Sequence, residues 1–425
     1  MLDRTTPPSL QPYPDIQLSM PTWRRLPNGV QMCVIDHGEV EVNQIDVYFG
    51  GGILEQPKRY VAQLLASMID KGSSNFSAEA IAEQMAFYGA VKGGSVSDHH
   101  IKLSLRCTGS NLPKLMPIFF DYITTPQFDA KEFNNIVEQT RANAVVASKR
   151  VGSLSSILLS QMLYGKQSMM ANEIGAKSIG DVTIADLRAF HKAYFASGNC
   201  RVVLSGKVTR AIDDEVTRWF GSWQSSSFKP LSPWQGHPID LRRDVISVPG
   251  ALQSGIAAAV CAISREHPDY IGLRILTTAL GGYFGSRLMS NIREDKGYTY
   301  GIHAYLAGRK EEGHITIATE CAAQHTEAVI DEIRHEMRRL RELPMSDEEL
   351  ALVRNHMMSD LLKTFDTAFS IADYVGSTIT VGVQPDYFNR QYSILQTITP
   401  EQLQTLAQTY LVDQRLCIAI AGPVK

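Results

Sequence analysis

Two side chains in the later part of the chain are of types that can stabilise a developing negative charge. They lie in NIREDKGYTYGIHAYLAG, residues 291 to 308, where Arg293 ends a helix-like segment and Tyr300 follows in an extended segment. An arginine and a tyrosine brought together could donate hydrogen bonds to a carbonyl oxygen or to the oxyanion that forms when it is attacked. The alternative is a surface helix with ion pairs followed by an aromatic strand, which is the commoner use of such residues.

Sequence patterns typical of metal sites are missing. There is no HExxH string, and the nearest, HEMRR at His335, predicts an exposed charged face on an amphipathic helix. His99 and His100 begin a strand, where neighbouring side chains point to opposite faces, so we do not expect both to bind one ion. Widely spaced cysteines in mostly apolar runs predict reduced, buried thiols. The six cysteines are Cys33, Cys107, Cys200, Cys261, Cys321 and Cys417.

Two further stretches could be mistaken for functional sites, but they lack the residues that bind a nucleotide, bind a metal or transfer a proton. LGGYFGSRL, residues 280 to 288, is glycine-rich but has neither the GK[ST] ending nor the GxGxxG spacing of a nucleotide site. QLLASMIDKGS, residues 63 to 73, predicts the end of a helix whose apolar face is buried. The opposite face of that helix offers Gln63, Ala66 and Ser67, which can neither bind a metal well nor move a proton at neutral pH.

The elements that position these residues come from an internal repeat. TIADLRAFHKAYFASGNCRVVLSGKV, near the middle, matches TPEQLQTLAQTYLVDQRLCIAIAGPV at the C-terminus without a gap. Each copy predicts an amphipathic helix, a turn and an apolar strand ending at Gly206 or Gly422. Capping boxes beginning at Asp129 and Ser346 form a second match, and QPKRYVAQLLASMIDKG with HPDYIGLRILTTALGG forms a third. Three matches in the same order indicate a duplicated domain.

The repeat and the linker predict the fold. SSSFKPLSPWQGHP, residues 225 to 238, is rich in Ser and Pro and interrupts both helical and strand patterns. We place the first domain at residues 1–225, the linker at 226–238 and the second domain at 239–425. Each domain mixes strand-like runs with helices. The sequence therefore predicts an α+β fold of two homologous domains, each a largely antiparallel sheet covered by helices, from internal duplication.

Composition limits the classes of partner. The chain has 425 residues, 44% of them hydrophobic and 20% charged, with a formal net charge of −3 and no Lys/Arg run, so we do not expect nucleic acid to bind. The polar, proline-rich N-terminus resembles no signal peptide, and no apolar run is long enough to span a bilayer. These features predict a cytoplasmic protein without a membrane partner, with a processed secreted form as the alternative.

Taken together, the halves resemble the insulinase (pitrilysin) family of zinc peptidases, the inverzincins, and within it the mitochondrial-processing-peptidase-like members. The resemblance covers nearly the whole chain. It is carried by GGILEQPKRYVAQLLASMIDKGS, by SIGDVTIADLRAFHKAYFASGNCRVVLSGKV and above all by LGGYFGSRLMSNIREDKGYTYGIHAY. The last segment is similar to the family's stretch in which an arginine and, seven positions later, a tyrosine contribute to substrate binding and catalysis. The resemblance thus assigns catalytic roles to Arg293 and Tyr300.

The same resemblance bears on the glycines at 281 and 282. GGYFG occupies the region where the non-catalytic mitochondrial processing subunit has a longer glycine-rich loop linked to substrate handling. Contact with substrate is therefore one expectation for Gly281 and Gly282. A purely structural turn is the other, because the segment is short here.

The resemblance also says what is missing. Active members carry His-x-x-Glu-His on a helix of the first domain, with zinc held by the histidines and a distant glutamate. Aligning LASMIDKGS with that motif places its three positions on Gln63, Ala66 and Ser67, and the distant ligand falls near Asn143 or Ala144. The resemblance implies that this chain binds no metal and that its zinc positions are vacant.

Some family members divide the work between two similar chains, one with the zinc motif and one with the Arg/Tyr pair. The resemblance implies that this chain is the second type: the non-zinc subunit of a heterodimeric metallopeptidase, inactive alone. Zinc is then expected in a homologous partner, and the substrate is a peptide. One alternative is an inactive peptide-binding or scaffold protein of the same fold. Another is an autonomous hydrolase with unrecognised ligands such as His99.

Overall fold

The structure is a computed structural model that describes residues 20–224, 227–231, 243–384 and 386–423. About half of it is helical (51%) and a fifth is strand (21%), arranged as two sheets with helices packed on them. The proline-rich N-terminal stretch and most of the predicted linker lie outside the described residues. The division at 226–238 therefore stays a prediction.

The first sheet has six strands in the order β1-β2-β6-β3-β5-β4. Its neighbours pair antiparallel except β2 and β6, which are parallel. The strands are β1 (Trp23–Arg25), β2 (Gln31–Asp36), β3 (Val42–Gly50), β4 (Val91–Val96), β5 (His100–Thr108) and β6 (Cys200–Gly206).

The second sheet has five strands in the order β7-β11-β8-β10-β9, with only β7 and β11 parallel. Its strands are β7 (Arg243–Ser247), β8 (Gln253–Ala262), β9 (Thr299–Gly308), β10 (Gly313–Ala322) and β11 (Cys417–Gly422). Apart from β1, the two sheets have the same order and the same pattern of directions. The predicted α+β class, with two largely antiparallel sheets, is confirmed.

The helices follow the sequence repeat. Their starts are capped as the sequence indicates: Asp129 accepts hydrogen bonds from the amides of residues 131 and 132, and Ser346 accepts one from the amide of residue 349. No helix among the described residues is long and apolar enough to cross a membrane. The helices are α1 (Val61–Met68), α2 (Ala78–Phe87), α3 (Leu112–Thr124), α4 (Ala130–Ala147), α5 (Val151–Tyr164), α6 (Ile184–Tyr194), α7 (Arg210–Gly221), α8 (Tyr270–Thr277), α9 (Thr326–Glu342), α10 (Asp347–Leu362), α11 (Ala368–Val381), α12 (Tyr387–Thr397) and α13 (Pro400–Tyr410).

Each half of the chain contributes one helix to the sheet of the other half. The apolar face of α5 packs on β8 and β11 of the second sheet, and the apolar face of α11 packs on β2 and β6 of the first. Leucines and a methionine of α5 meet small residues such as Ala257 and Ala259, whereas Val375 of α11 lies in a buried cluster with Ile35 and Val203. Separating the halves would expose both clusters to water, so this exchange holds the two sheets together.

The start of α5 lies very close to the second sheet. A Cβ atom added at Gly255 of β8 would lie 2.3 Å from the carbonyl oxygen of Val151. A Cβ atom added at Gly152 would lie 2.1 Å from the Glu320 carboxylate. The packing distance between helix and sheet therefore requires glycine at 255, where the neighbour is backbone, whereas at 152 the exposed Glu320 side chain could move aside.

A polar contact also joins the halves. The segment before β5 meets the hairpin between β9 and β10, where Arg309 Nη1 lies 3.0 Å from Asp98 Oδ2. The buried His99 ring lies between two glutamates, with Nδ1 2.9 Å from Glu55 Oε1 and Nε2 3.2 Å from Glu311 Oε1. The hydrogen bond with Glu55 raises the pKa of His99, because both carboxylates favour the protonated ring.

The glycine at 255 provides a test of the helix exchange. Gly255→Ala should lower the free energy of unfolding by about 1–3 kcal/mol, because the added methyl collides with the α5 backbone. Denaturant unfolding measures the change. Gly221→Ala is the matched control, since a Cβ there is 3.8 Å from its nearest neighbour and should cause no loss. An equal change in the free energy of unfolding for the two variants would contradict the close approach of α5 to β8.

The His99 contact predicts a pH dependence. Because its pKa is raised in the folded chain, the ion pair stabilises the fold fully below the ordinary histidine pKa of about 6.5 and loses this effect as the pH rises through the raised value. Glu311→Gln should therefore lower the melting temperature more at pH 6 than at pH 9. Glu327→Gln, which removes the surface partner of Arg243, should cost the same at both pH values. A pH-independent loss for Glu311→Gln would rule out this role for His99.

Candidate functional site

Arg293 lies in a π-helical segment, Met289–Asp295, that leads towards β9. Its side chain is half-buried, and the guanidinium carbon lies 4.7 Å from the centre of the Phe284 ring. Phe284 belongs to the GGYFG segment and is 61% exposed. A cation held over an aromatic face keeps its remaining N–H groups available. The contact holds the guanidinium at the surface while leaving donors for a ligand.

A buried carboxylate anchors the segment that carries Arg293. Asn291 Nδ2 donates to Glu332 Oε2 at 2.9 Å and to Glu336 Oε1 at 2.7 Å. Glu336, in the HEMRR string, has 0% of its surface exposed, so the predicted exposed charged face is wrong at this position, although His335 is exposed. The carboxylate is tolerated inside because Asn291 and Arg339 both donate hydrogen bonds to it.

Tyr300 lies at the start of the edge strand β9 and is 94% exposed. A bulge places it there: Thr299 pairs with Cys321 and Ile302 with Thr319, so two residues of β9 oppose one of β10. The bulge is fixed by hydroxyls, since Thr299 Oγ1 donates to the Glu320 carbonyl at 2.7 Å. The Tyr300 hydroxyl has no hydrogen-bond partner within the described ranges, and its phenol is free to donate.

Arg293 and Tyr300 flank the turn that contains Gly297, whose φ of 65° is in the left-handed region. Within the described part of the chain, neither side chain hydrogen-bonds to the other. Both present donors at the surface, which is the requirement for acting on a group that arrives from outside the chain. Their assigned catalytic roles remain predictions.

The two glycines of GGYFG differ in their surroundings. Gly281 is buried, and a Cβ atom there would lie 2.6 Å from the Cβ of Ala304 in β9. Packing alone therefore accounts for glycine at 281. Gly282 is exposed. Contact with substrate stays a prediction for both residues, and of the two only Gly282 is accessible to a ligand.

The positions aligned with the zinc motif lie on α1, as expected, but offer no metal ligands. Gln63 and Ala66 are half-buried and Ser67 is exposed. On α4, which packs against α1, Ala144 faces the core and Asn143 faces outward. None of these side chains is an imidazole or a carboxylate, and no group of three His, Cys, Asp or Glu residues in the described ranges could hold a metal. The residues do not fit zinc.

A positive charge lies beside the same helix. A pocket of about 210 Å³ next to Ala66 and Ser67 also contains Lys92 of β4, whose ammonium pairs with Asp70. Burial lowers the pKa of Lys92. The ammonium already neutralises the Asp70 carboxylate, so the described residues of this pocket supply no unpaired anionic ligand for a metal.

The two neighbouring histidines have separate surroundings. His99 faces Glu55 and Glu311 in the contact between the halves, whereas His100 lines a pocket with Lys102 on the outer side of the first sheet. They do not form a shared site, as the sequence predicts. Neither one supplies the ligand set that an autonomous hydrolase would need.

Residues 181–357 match the family model described as the peptidase M16 inactive domain. This part of the chain is therefore similar to the peptidase M16 inactive domain. This finding confirms the sequence resemblance to the insulinase family without the zinc motif. The matched residues of the M16 inactive domain include Arg293 and Tyr300, and Gln63, Ala66 and Ser67 lie outside them.

Relatives and a solved structure extend the likeness over most of the chain. The uncharacterized zinc protease YmxG of Bacillus subtilis is 21% identical over 347 residues, covering 81% of this chain and 84% of that protein. A probable mitochondrial-processing peptidase subunit beta of Arabidopsis thaliana is 18% identical over 437 aligned residues, covering 96% and 80%. A peptidase M16 inactive domain of Pseudomonas fluorescens shares the fold with a TM-score of 0.87 and 23% identity, covering 95% and 98%.

The ligand-free α1 predicts the metal content of the purified protein. Chain purified in the presence of zinc and then desalted should retain far less than one zinc per molecule by elemental analysis, because no three-ligand set is available. The double variant Gln63→His/Ser67→His, which places two imidazoles four residues apart on one helical face, should retain more. Stoichiometric, tightly bound zinc in the unmodified chain would contradict the assignment.

Proposed function

We propose that this chain is the non-zinc subunit of a heterodimeric insulinase-family peptidase. A homologous partner would supply the zinc site, and this chain would supply groups that bind the peptide and stabilise the oxyanion. The observation that carries the proposal is the combination of a ligand-free α1 with an exposed Tyr300 phenol that a bulge holds in place. A chain that kept only the fold would have no need for an exposed, unpaired donor at an edge strand.

The chemistry of the two side chains fits these roles. In peptide hydrolysis the attacked carbonyl oxygen becomes an oxyanion, which a preorganised phenol O–H can stabilise by donating a hydrogen bond. Tyr300 would make that bond. Arg293 would hold a substrate carbonyl with the N–H groups that its contact with Phe284 leaves open.

The need for a partner rests on what the chain lacks. Its own described residues offer no ligand set to activate water, so hydrolysis would require a second chain. One relative over nearly the whole chain is named as a subunit, the probable mitochondrial-processing peptidase subunit beta, which supports assembly with a second chain. A peptide-binding or scaffold role without hydrolysis is the competing proposal, and isolating the native complex separates the two.

The first test is to purify the tagged chain from its own cells and identify the proteins that accompany it in stoichiometric amount. A chain of similar size carrying His-x-x-Glu-His supports the split peptidase. Recovery within an assembly without such a chain, or recovery alone, favours the scaffold role.

In the reconstituted pair, Tyr300→Phe should lower kcat by about 10²–10³-fold, because one oxyanion donor is lost, while KM changes little. Steady-state cleavage of a fluorogenic peptide measures both constants. Tyr305→Phe is the matched control, since Tyr305 lies on the same strand and is 55% exposed. If Tyr300→Phe and Tyr305→Phe leave kcat equally unchanged, Tyr300 has no catalytic role.

A further inference from the structure

A polar pocket of about 250 Å³ lies between the outer side of the first sheet and α11. It belongs neither to the Arg293–Tyr300 region nor to the vacant metal positions. Strand residues form one wall and helix residues the other. Side chains that can hydrogen-bond to a ligand include Ser95, Ser97, His100, Lys102, Ser377 and Thr380. We call this cavity the His100 pocket.

The His100 pocket contains an unsatisfied group. The Nδ1 atom of His100 is buried and has no hydrogen-bond partner within the described ranges. Burial, together with the positive charges of Arg201 and Lys310, lowers the pKa of His100 to about 3, so the ring is neutral at physiological pH. A buried nitrogen without a partner costs free energy, and a ligand that hydrogen-bonds to it recovers that cost.

The internal repeat identifies the counterpart of His100. Strand registers link Leu204 through Ile45 to Leu105 in the first sheet, and Ile420 through Ile256 to Thr319 in the second. Since Leu204 and Ile420 are equivalent in the sequence repeat, Leu105 and Thr319 are equivalent as well. His100 and His314 lie five residues before these positions, so they are counterparts.

The counterpart histidine has the partner that His100 lacks. The Tyr164 hydroxyl, at the end of α5, lies 3.3 Å from His314 Nδ1. The two rings meet edge to face at 6.0 Å. Burial lowers the pKa of His314 to about 4, so this histidine is neutral too. In the second half, a phenol therefore satisfies the imidazole.

The end of α11 has no tyrosine to offer His100, and Tyr48 of β3, which also lines the pocket, does not hydrogen-bond to its Nδ1 atom. Helices α5 and α11 both end before a left-handed glycine, Gly165 and Gly382, so Tyr164 corresponds to Val381. Val381 packs instead against the apolar cluster formed by the second sheet and its helices. The preceding position changes from leucine in α5 to Thr380 in α11. The His100 pocket is the space that results.

We infer that the His100 pocket binds a hydroxyl-bearing aromatic side chain, that of tyrosine, from an extended peptide. The phenol would hydrogen-bond to His100 Nδ1 as Tyr164 does to His314, with Lys102 placed to contact the ring. The inference rests on the proposed function and names the substrate class: peptides with a tyrosine at the residue that enters this pocket.

The edge strand β4 supplies the means of presenting that residue. Ser95 of β4 pairs with Lys102 of β5, and the other edge of β4 has no strand partner in the described part of the chain. A peptide added there would pair by main-chain hydrogen bonds. Directly opposed residues share a face, so the peptide residue opposite Ser95 would direct its side chain to the side of the pocket.

The test uses the full chain and three labelled pentapeptides, Val-Thr-X-Thr-Val with blocked ends, where X is Tyr, Phe or Ala. Fluorescence anisotropy should show tighter binding for Tyr than for Phe, and binding about tenfold or more tighter for Tyr than for Ala, since the ring and its hydroxyl are buried. N-acetyltyrosinamide is the probe for a free hydroxyaromatic ligand and should bind more weakly than the Tyr peptide.

Variants assign the effect to the pocket. Thr380→Leu restores the residue found in α5 and fills space, so it should remove the preference for Tyr over Ala. His100→Ala should remove the preference for Tyr over Phe. His37→Ala, an exposed histidine elsewhere, is the matched control. Melting temperatures confirm that each variant is folded. If His100→Ala does not fold, Thr380→Leu still tests the pocket.

The outcomes separate this inference from the proposed function. Equal binding of the three peptides, unchanged by Thr380→Leu, overturns the tyrosine pocket and leaves the peptidase proposal intact. If N-acetyltyrosinamide binds and no peptide does, the pocket takes a free hydroxyaromatic ligand, and the claim that the tyrosine belongs to a peptide is wrong. Loss of kcat in Tyr300→Phe is measured independently of both results.

Discussion

The reciprocal exchange of α5 and α11 is the interaction on which the rest of this structure depends. Each helix buries its apolar face on the sheet of the opposite half, so neither sheet has a complete outer layer without the other half. The exchange fixes the two sheets relative to each other. It also determines which sites stay accessible, including the bulged start of β9 and the pocket between β5 and α11 that His100 lines.

Duplication followed by divergence explains why the two halves share one strand order but carry different side chains at equivalent positions. Small residues such as Ala257 and Ala259 line the second sheet beneath α5, whereas Asp46 and Tyr48 occupy the same positions beneath α11. The contact is thus apolar in the second half and partly polar in the first. Burial raises the pKa of Asp46, and Lys102 at 3.2 Å opposes that shift.

The sequence predicts the fold well because two kinds of information agree: local signals such as helix caps, and an internal repeat that shows the same elements in both halves. The apolar strand ending at Gly206 or Gly422 and the caps at Asp129 and Ser346 depend only on neighbouring residues, and the structure has them where the sequence indicates. The burial of Glu336 and the contact of His99 with Glu311 could not be predicted. Both depend on partners at distant sequence positions. Glu336 is buried against Asn291, and His99 meets Glu311 in the hairpin between β9 and β10 of the other half. For the candidate site, the positions of Arg293 and Tyr300 were accessible from the sequence, but the bulge and the Phe284 contact were not.

The helix exchange also sets an order of events during synthesis. Helix α5 is complete by residue 164, but the strands that it covers span residues 243 to 422. Its leucine-rich face must therefore wait, exposed to water, until almost the whole chain has left the ribosome. Contacts between such distant residues form slowly, and exposed apolar surface favours aggregation meanwhile. The first half thus cannot bury all of its apolar surface by itself, and the last strand, β11, completes the cluster that α5 begins.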